Sequence, residues 1–199
     1  MEQFNFQFYW SYLIILANVI VFILETIRGG STKTENAVRF GAQSCQLLGD
    51  GQWYRLFTSM FVHFGFLHLA CNMYALYQLG PDVETLLNVW YFLIIYFGSG
   101  ICGNLLTYFV GTKSGRDSIS AGASGAIFGL FGTFLALYLI PETRDFVNAG
   151  SLLQTLVINL IYGIVNRRIN LWAHLGGLAG GTVLSLVIIG GILRGWFPV

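Results

Sequence analysis

Long apolar runs, broken at intervals by charged or Gly/Pro/Asn-rich segments, constrain this chain more than any other feature. A helix needs about 20 predominantly apolar residues to cross a bilayer. The sequence holds six stretches of this kind, near residues 12–27, 59–80, 86–110, 121–140, 151–165 and 171–193, the fifth being the shortest. In hydrocarbon every backbone N–H and C=O must be satisfied within the protein, so such runs become helices rather than loops. Hydrophobic residues make up 55% of the chain and charged residues 10%, against about 25% charged in a soluble domain. The expected fold is therefore an all-α membrane protein, a polytopic bundle of six transmembrane helices forming a single domain over residues 1–199. Residues 28–58 form the longest connection and are polar, with Gly29-Gly30, Gly49-Asp50-Gly51 and the aromatic pair Trp53-Tyr54. Loops of that length are usually functional or folded on their own account.

Composition also removes several classes of function. A net charge of +1, with the basic residues scattered between spans, gives no electrostatic footprint for nucleic acid. Cys45, Cys71 and Cys102 cannot all pair and have no second ligand cluster beside them, so neither a disulfide framework nor a zinc site is indicated; small buried or loop thiols are the plain reading. Residues 1–10 lack the basic start of a signal peptide and the Arg-rich pattern of a transit peptide, and no removable leader is expected there. No cofactor or metal is expected.

Parity arranges the remaining polar residues. Spans two, four and six run in one direction and begin on the face that carries the long loop. His68 and Asn72, four residues apart, share a side of the second span. Ser124, in Gly122-Ala123-Ser124-Gly125, and His174, in Ala173-His174-Leu175-Gly176-Gly177, stand near the starts of the fourth and sixth. Four residues of helix rise only about 6 Å, so polar groups from three helices are expected at one shallow depth. Gly125 with Gly129, Gly176 with Gly180 and Gly177 with Gly181 supply the small-residue spacing that lets membrane helices touch. Two overlapping registers after His174 predict tight contact with a neighbour without saying which helix it is.

A serine hydroxyl needs a base to become a nucleophile, and a neutral imidazole is the common one. None of the nine Asp and Glu residues lies in spans four to six, so the economical constellation is a Ser124/His174 dyad without a carboxylate. Other chemistries for cutting inside a membrane lack their residues: there is no His-Glu-x-x-His, no pair of aspartates inside the spans and no lysine in a span. The Gly-x-Ser-x-Gly elbow is not met either, because Ala126 takes the place of its last glycine. Each residue also has a plain structural reading. Serines in membrane helices mostly bond back to their own helix or ease packing, whereas an intramembrane imidazole is penalised and points to function. His68 and Asn72 fit interhelical hydrogen bonding, and His63 is read as structural, with a partner in the long loop.

Taken together, His68-Leu69-Ala70-Cys71-Asn72, Gly122-Ala123-Ser124-Gly125, and Ala173-His174 followed by Gly177 and Gly181 resemble the rhomboid intramembrane serine proteases over essentially the whole chain. The resemblance implies that Ser124 is the nucleophile and His174 the general base. It further implies that His68 and Asn72 line the oxyanion hole with the Ser124 backbone amide. Trp53 and Arg55 resemble the family's Trp-Arg element with Tyr54 inserted, and Glu84 a structural glutamate. Phe128 stands where relatives often stack a tyrosine on the catalytic imidazole. The partners implied are transmembrane protein substrates and the lipid bilayer, and the location is a bacterial cytoplasmic membrane. Oligomeric state has no signature in the sequence.

Sidedness divides two lines of reasoning. The long-loop face carries eight of the ten basic residues (Arg28, Lys33, Arg39, Arg55, Lys113, Arg116, Arg167 and Arg168), against Arg144 and Arg194 on the other. The positive-inside rule puts that face in the cytoplasm, while the resemblance implies that it opens outward. Two readings from other classes stand beside the protease. A rhomboid-like pseudoenzyme that only binds membrane helices is opposed by the presence of both Ser124 and His174. A small channel or transporter is opposed by the absence of charge near the bilayer centre and of inverted half-repeats.

Overall fold

A computed structural model describes residues 9–165 and 170–198. Among these residues the chain is helical, with one isolated antiparallel bridge, Gln43 to Ser120. In chain order the helices are α1 (Trp10–Ile27), α2 (Thr34–Phe40), α3 (Cys45–Gly49), α4 (Arg55–Thr58), α5 (Phe66–Leu87), α6 (Val89–Ser114), α7 (Ser124–Leu139), α8 (Ala149–Val165) and α9 (Leu171–Leu193). Three of them, α1, α6 and α9, are long and apolar enough to cross a membrane. A fourth candidate is broken, Arg55–Phe61 and Phe66–Leu87 meeting at 97°, and Ser124–Leu139 and Ala149–Ile158 are shorter apolar helices. The chain is thus an all-helical integral membrane protein.

The second span differs from its expected limits of 59–80 at both ends. Residues 59–61 form a 3₁₀ turn, and α5 starts at Phe66 after Gly65, whose φ of +83° is a conformation that favours glycine. Hydropathy continues across that break and cannot register it. At the other end Pro81 does not stop the helix, which runs on to Leu87. The extension is anchored: Glu84 accepts hydrogen bonds from the backbone amides of Trp10 and Ser11, both at 2.8 Å. Glu84 thereby satisfies amides that the start of α1 leaves unpaired, which is the structural part expected of it.

At the centre α7, α9 and α6 pack together most extensively, and glycine sets the spacing. Cβ atoms added at Gly177 and Gly181 would run into the backbones of Gly125 and Gly129 on α7. One added at Gly176 would come within 2.9 Å of the Cys102 carbonyl on α6, and one at Gly180 within 2.6 Å of the Cys102 side chain. The two glycine registers after His174 therefore serve two neighbours at once, one face for α7 and the adjacent face for α6. Apolar side chains close the rest, with Leu76, Phe92, Ile95, Tyr96 and Leu130 almost fully buried.

The long loop is folded. Arg55, buried, donates from its guanidinium to the carbonyls of Val38 (2.8 Å) and Ala42 (2.7 Å) and to Gln52 Oε1 (2.7 Å). Trp53 rests edge-on against Tyr108 of α6. Gln43 exchanges backbone hydrogen bonds with Ser120 at 3.0 and 2.8 Å, and its side-chain amide donates to Asn104 Oδ1 at 2.8 Å. Asn104 in turn donates to the Leu56 carbonyl and the Ser59 hydroxyl. The loop is thereby tied to α6 and to the segment that leads into Ser124.

Candidate active site

Ser124 is the first residue of α7 rather than four residues inside a span. Gly122 and Ala123 deliver it there. Gly122 has a φ of +128°, and a Cβ at that position would come within 2.8 Å of the Cε1 and Nε2 atoms of His68, so only glycine lets this backbone pass against the imidazole. Its amide donates to the Ser59 carbonyl at 2.9 Å, and the Ala123 amide points to His63 Nε2 at 3.5 Å. Two hydrogen bonds thus fix the peptide units immediately before the serine. At the start of an α-helix the first amides have no intrahelical acceptor, so the Ser124 N–H is a free donor beside its own hydroxyl.

His174, the fourth residue of α9, is buried and is positioned by what precedes it. Asn170 accepts from the Ala173 amide (3.1 Å) and donates to Thr107 Oγ1 (3.0 Å) and Ser120 Oγ (2.8 Å). One side chain therefore caps α9 and ties its start to α6 and to the loop before Ser124. Across the helix pair, a Cβ on Gly125 would lie 3.3 Å from the Ala173 carbonyl, so the residues next to Ser124 and next to His174 are in contact. Phe128, one turn beyond Ser124, stacks on the imidazole with centroids 4.2 Å apart and planes 16° from parallel. No hydrogen bond joins the Ser124 hydroxyl to the His174 ring among the described residues, and His174 Nδ1 is buried without a protein partner.

His68 and Asn72 face the same spot from α5. His68 Nδ1 accepts the Phe64 amide at 3.4 Å, which leaves Nε2 to carry the proton of a neutral ring, and Nε2 is the atom lying against Gly122. Asn72, buried, spends one N–H on the His68 carbonyl at 3.0 Å; its amide nitrogen is 3.8 Å from where a Gly122 Cβ would stand. The fold therefore brings Ser124, His174, His68 and Asn72 to one place, at the ends of α7, α9 and α5 that face the long loop.

His63 does not take the partner expected for it in the long loop. Its amide donates to Glu25 Oε2 of α1 (3.2 Å), its Nδ1 lies 3.3 Å from the Phe61 carbonyl, and its ring meets that of His68 edge-on at 5.0 Å. With Nδ1 donating to that carbonyl, Nε2 is left as an acceptor for Ala123. Sequence reasoning missed Asn170 altogether, although an Asn directly ahead of an apolar run is a helix N-cap signal.

Fold and site together define a helical membrane protein with a serine at a helix start, an imidazole on the adjoining helix and hydrogen-bond donors opposite. The family model for the Rhomboid domain matches residues 50–191. The chain is 38% identical over 173 residues to rhomboid protease GluP of Bacillus subtilis (strain 168), covering 86% of this chain and 33% of that protein. It is 33% identical over 181 residues to YdcA of the same strain, covering 90% and 82%. Rhomboid-type serine protease 2 of Emericella nidulans is 30% identical over 141 residues, covering 69% and 27%. The chain belongs to the rhomboid family. It spans a third of GluP and about four-fifths of YdcA.

Proposed function

We propose that this chain is an intramembrane endopeptidase that hydrolyses peptide bonds in or near the transmembrane segments of other membrane proteins with a Ser124/His174 dyad. All of 1–199 acts as one rhomboid-type domain of six spans, α7 and α8 being the short ones, in a bacterial cytoplasmic membrane. The observation that carries the reading is the contact of Gly125 with Ala173, which makes Ser124 and His174 neighbours across two helices.

Ser124 Oγ attacks the scissile carbonyl while His174 takes the hydroxyl proton. Negative charge that forms on the carbonyl oxygen is met by the Ser124 amide, His68 Nε2–H and the second N–H of Asn72. The tetrahedral species collapses, the C–N bond breaks, and His174 returns the proton to the leaving amine. Water, activated by the same imidazole, then releases the acyl group. A triad carboxylate would occupy His174 Nδ1, and the lack of a partner there among the described residues supports a dyad. No cofactor takes part.

The test is labelling of the purified protein by a mechanism-based serine-protease inhibitor, with Ser124→Ala beside it. Covalent capture of wild type and none of the variant is expected, together with loss of cleavage of a transmembrane substrate. Equal labelling of both, or none of either, overturns the assignment.

A further inference from the structure

Where α1 ends and the long loop begins, the surface has an open hollow of about 200 Å³ lined by Arg28, Gly29, Lys33, Glu35, Asn36 and Arg39. Asn36 is buried and donates to the carbonyls of Glu25 (2.9 Å) and Gly30 (3.2 Å), which holds α2 against the end of α1 and keeps Lys33 and Arg39 beside Arg28. A Cβ on Gly29 would come within 3.0 Å of Asn36 Oδ1, so the two segments close tightly. Three cations and one carboxylate share this volume, and none of the three cations makes a hydrogen bond or ion pair through its side chain among the described residues. Three positive charges against the single carboxylate of Glu35 leave a net positive charge there, and a demand for an anion.

Directly before Arg28 in the chain, α1 carries an exposed apolar stripe. Leu13, Leu16, Ile20, Ile23 and Ile27 are exposed at spacings of three or four along α1, which places them on one face of the helix. In a helix that crosses the membrane this stripe faces lipid, and it ends one residue before Arg28. An acyl chain lying on the stripe carries its headgroup to the level of the three cations, and basic residues at the end of a transmembrane helix attract anionic lipid. Guanidinium groups suit phosphate geometry, with an ammonium as a further point charge.

We propose that Arg28, Lys33 and Arg39 form a headgroup site for an anionic phospholipid, its phosphate between the three cations and its acyl chains on the exposed face of α1. Glu35 accepts a hydrogen bond from a headgroup hydroxyl, which favours a phosphatidylglycerol-type lipid over phosphatidic acid. The site is on the long-loop face, so its occupant ties that folded loop to the bilayer. The inference stands independently of the proteolytic reading, because its readout is lipid association.

The experiment reconstitutes the full chain in phosphatidylcholine vesicles and reads the motionally restricted fraction of spin-labelled phosphatidylglycerol, with spin-labelled phosphatidylcholine as reference. Association of the anionic probe should exceed the reference, and Arg28→Gln, Lys33→Gln and Arg39→Gln together should weaken it at least about fivefold. Lys113→Gln with Arg116→Gln, which removes charge from the same face outside the hollow, should leave it unchanged. With spin-labelled phosphatidic acid as a third probe, Glu35→Ala, which removes the acceptor, should abolish only the preference for phosphatidylglycerol over phosphatidic acid. Equal association of the two probes with wild type overturns the proposal. So does an equal loss in the Lys113/Arg116 variant, which would mean diffuse surface charge. Displacement by millimolar inorganic phosphate as effective as by unlabelled phosphatidylglycerol would make this a site for soluble anions and overturn it too.

Discussion

Phe128 lies flat against the imidazole of His174, 4.2 Å between ring centroids, and so joins the helix that starts at Ser124 to the helix that carries the imidazole. In the proposed dyad the stack would set the plane of the base and leave the nitrogens at its edge free for proton transfer. Aromatic stacking contributes about 0.5–1.5 kcal/mol beyond buried area, so Phe128→Ala should lower turnover about 2- to 10-fold, while Phe128→Tyr keeps the ring and the rate. Cleavage rates for both variants, with thermal unfolding as a check on folding, decide it. An alanine variant that is folded and as fast as wild type would show that the stack does not orient the base.

Asn72 is placed to do more than pack, because only one of its amide hydrogens is used within α5. If the other meets the developing oxyanion, Asn72→Ala should lower turnover by roughly 100- to 1,000-fold without loss of the folded state. Unchanged cleavage in that variant returns Asn72 to a packing role.

His63 ties the turn ahead of α5 to the segment before Ser124, its Nε2 facing the Ala123 amide at 3.5 Å and its Nδ1 the Phe61 carbonyl at 3.3 Å. His63→Leu leaves both backbone groups without that partner, at a cost of about 1–3 kcal/mol for each group left unsatisfied, so the detergent-solubilised variant should unfold at a lower temperature. His63→Gln, whose amide both donates and accepts, should recover part of the loss. A His63→Leu variant as stable as wild type would remove His63 as a structural tie.

The all-helical, apolar character of the chain is legible in the sequence, and the four residues proposed for the site stand out in it, because both rest on local signals: apolar runs, and polar residues that hydrocarbon penalises. What is not legible depends on partners distant in sequence. The 97° break before α5 lies in an apolar segment and is set by the backbone of Gly65. Past Pro81, α5 runs on to Leu87 and carries Glu84 to the start of α1, a pairing distant in sequence. Arg55 folds the long loop by finding the carbonyls of Val38 and Ala42, and no spacing rule names those acceptors. The neighbours of Gly176, Gly177, Gly180 and Gly181 are equally hidden, since adjacent glycine registers fit two helices alike and only the packed bundle assigns α6 to one and α7 to the other.

Substrate choice follows from the need for water and an accessible peptide bond. Ser124, only partly buried at the start of α7, must meet water from the long-loop face, since hydrocarbon supplies none. A substrate helix can present its backbone there only by unwinding locally, and each backbone group freed in lipid without a partner costs several kcal/mol. Helices that already carry Gly or Pro near that face have less to lose, because both residues weaken the helix. They should be cleaved preferentially, with a small side chain before the scissile bond, as the family resemblance implies. The measurement sets one transmembrane substrate against a variant whose Gly and Pro are replaced by Leu, in the same vesicles. Cleavage should slow in the variant; equal rates would mean that the enzyme selects by side-chain contacts and not by helix stability.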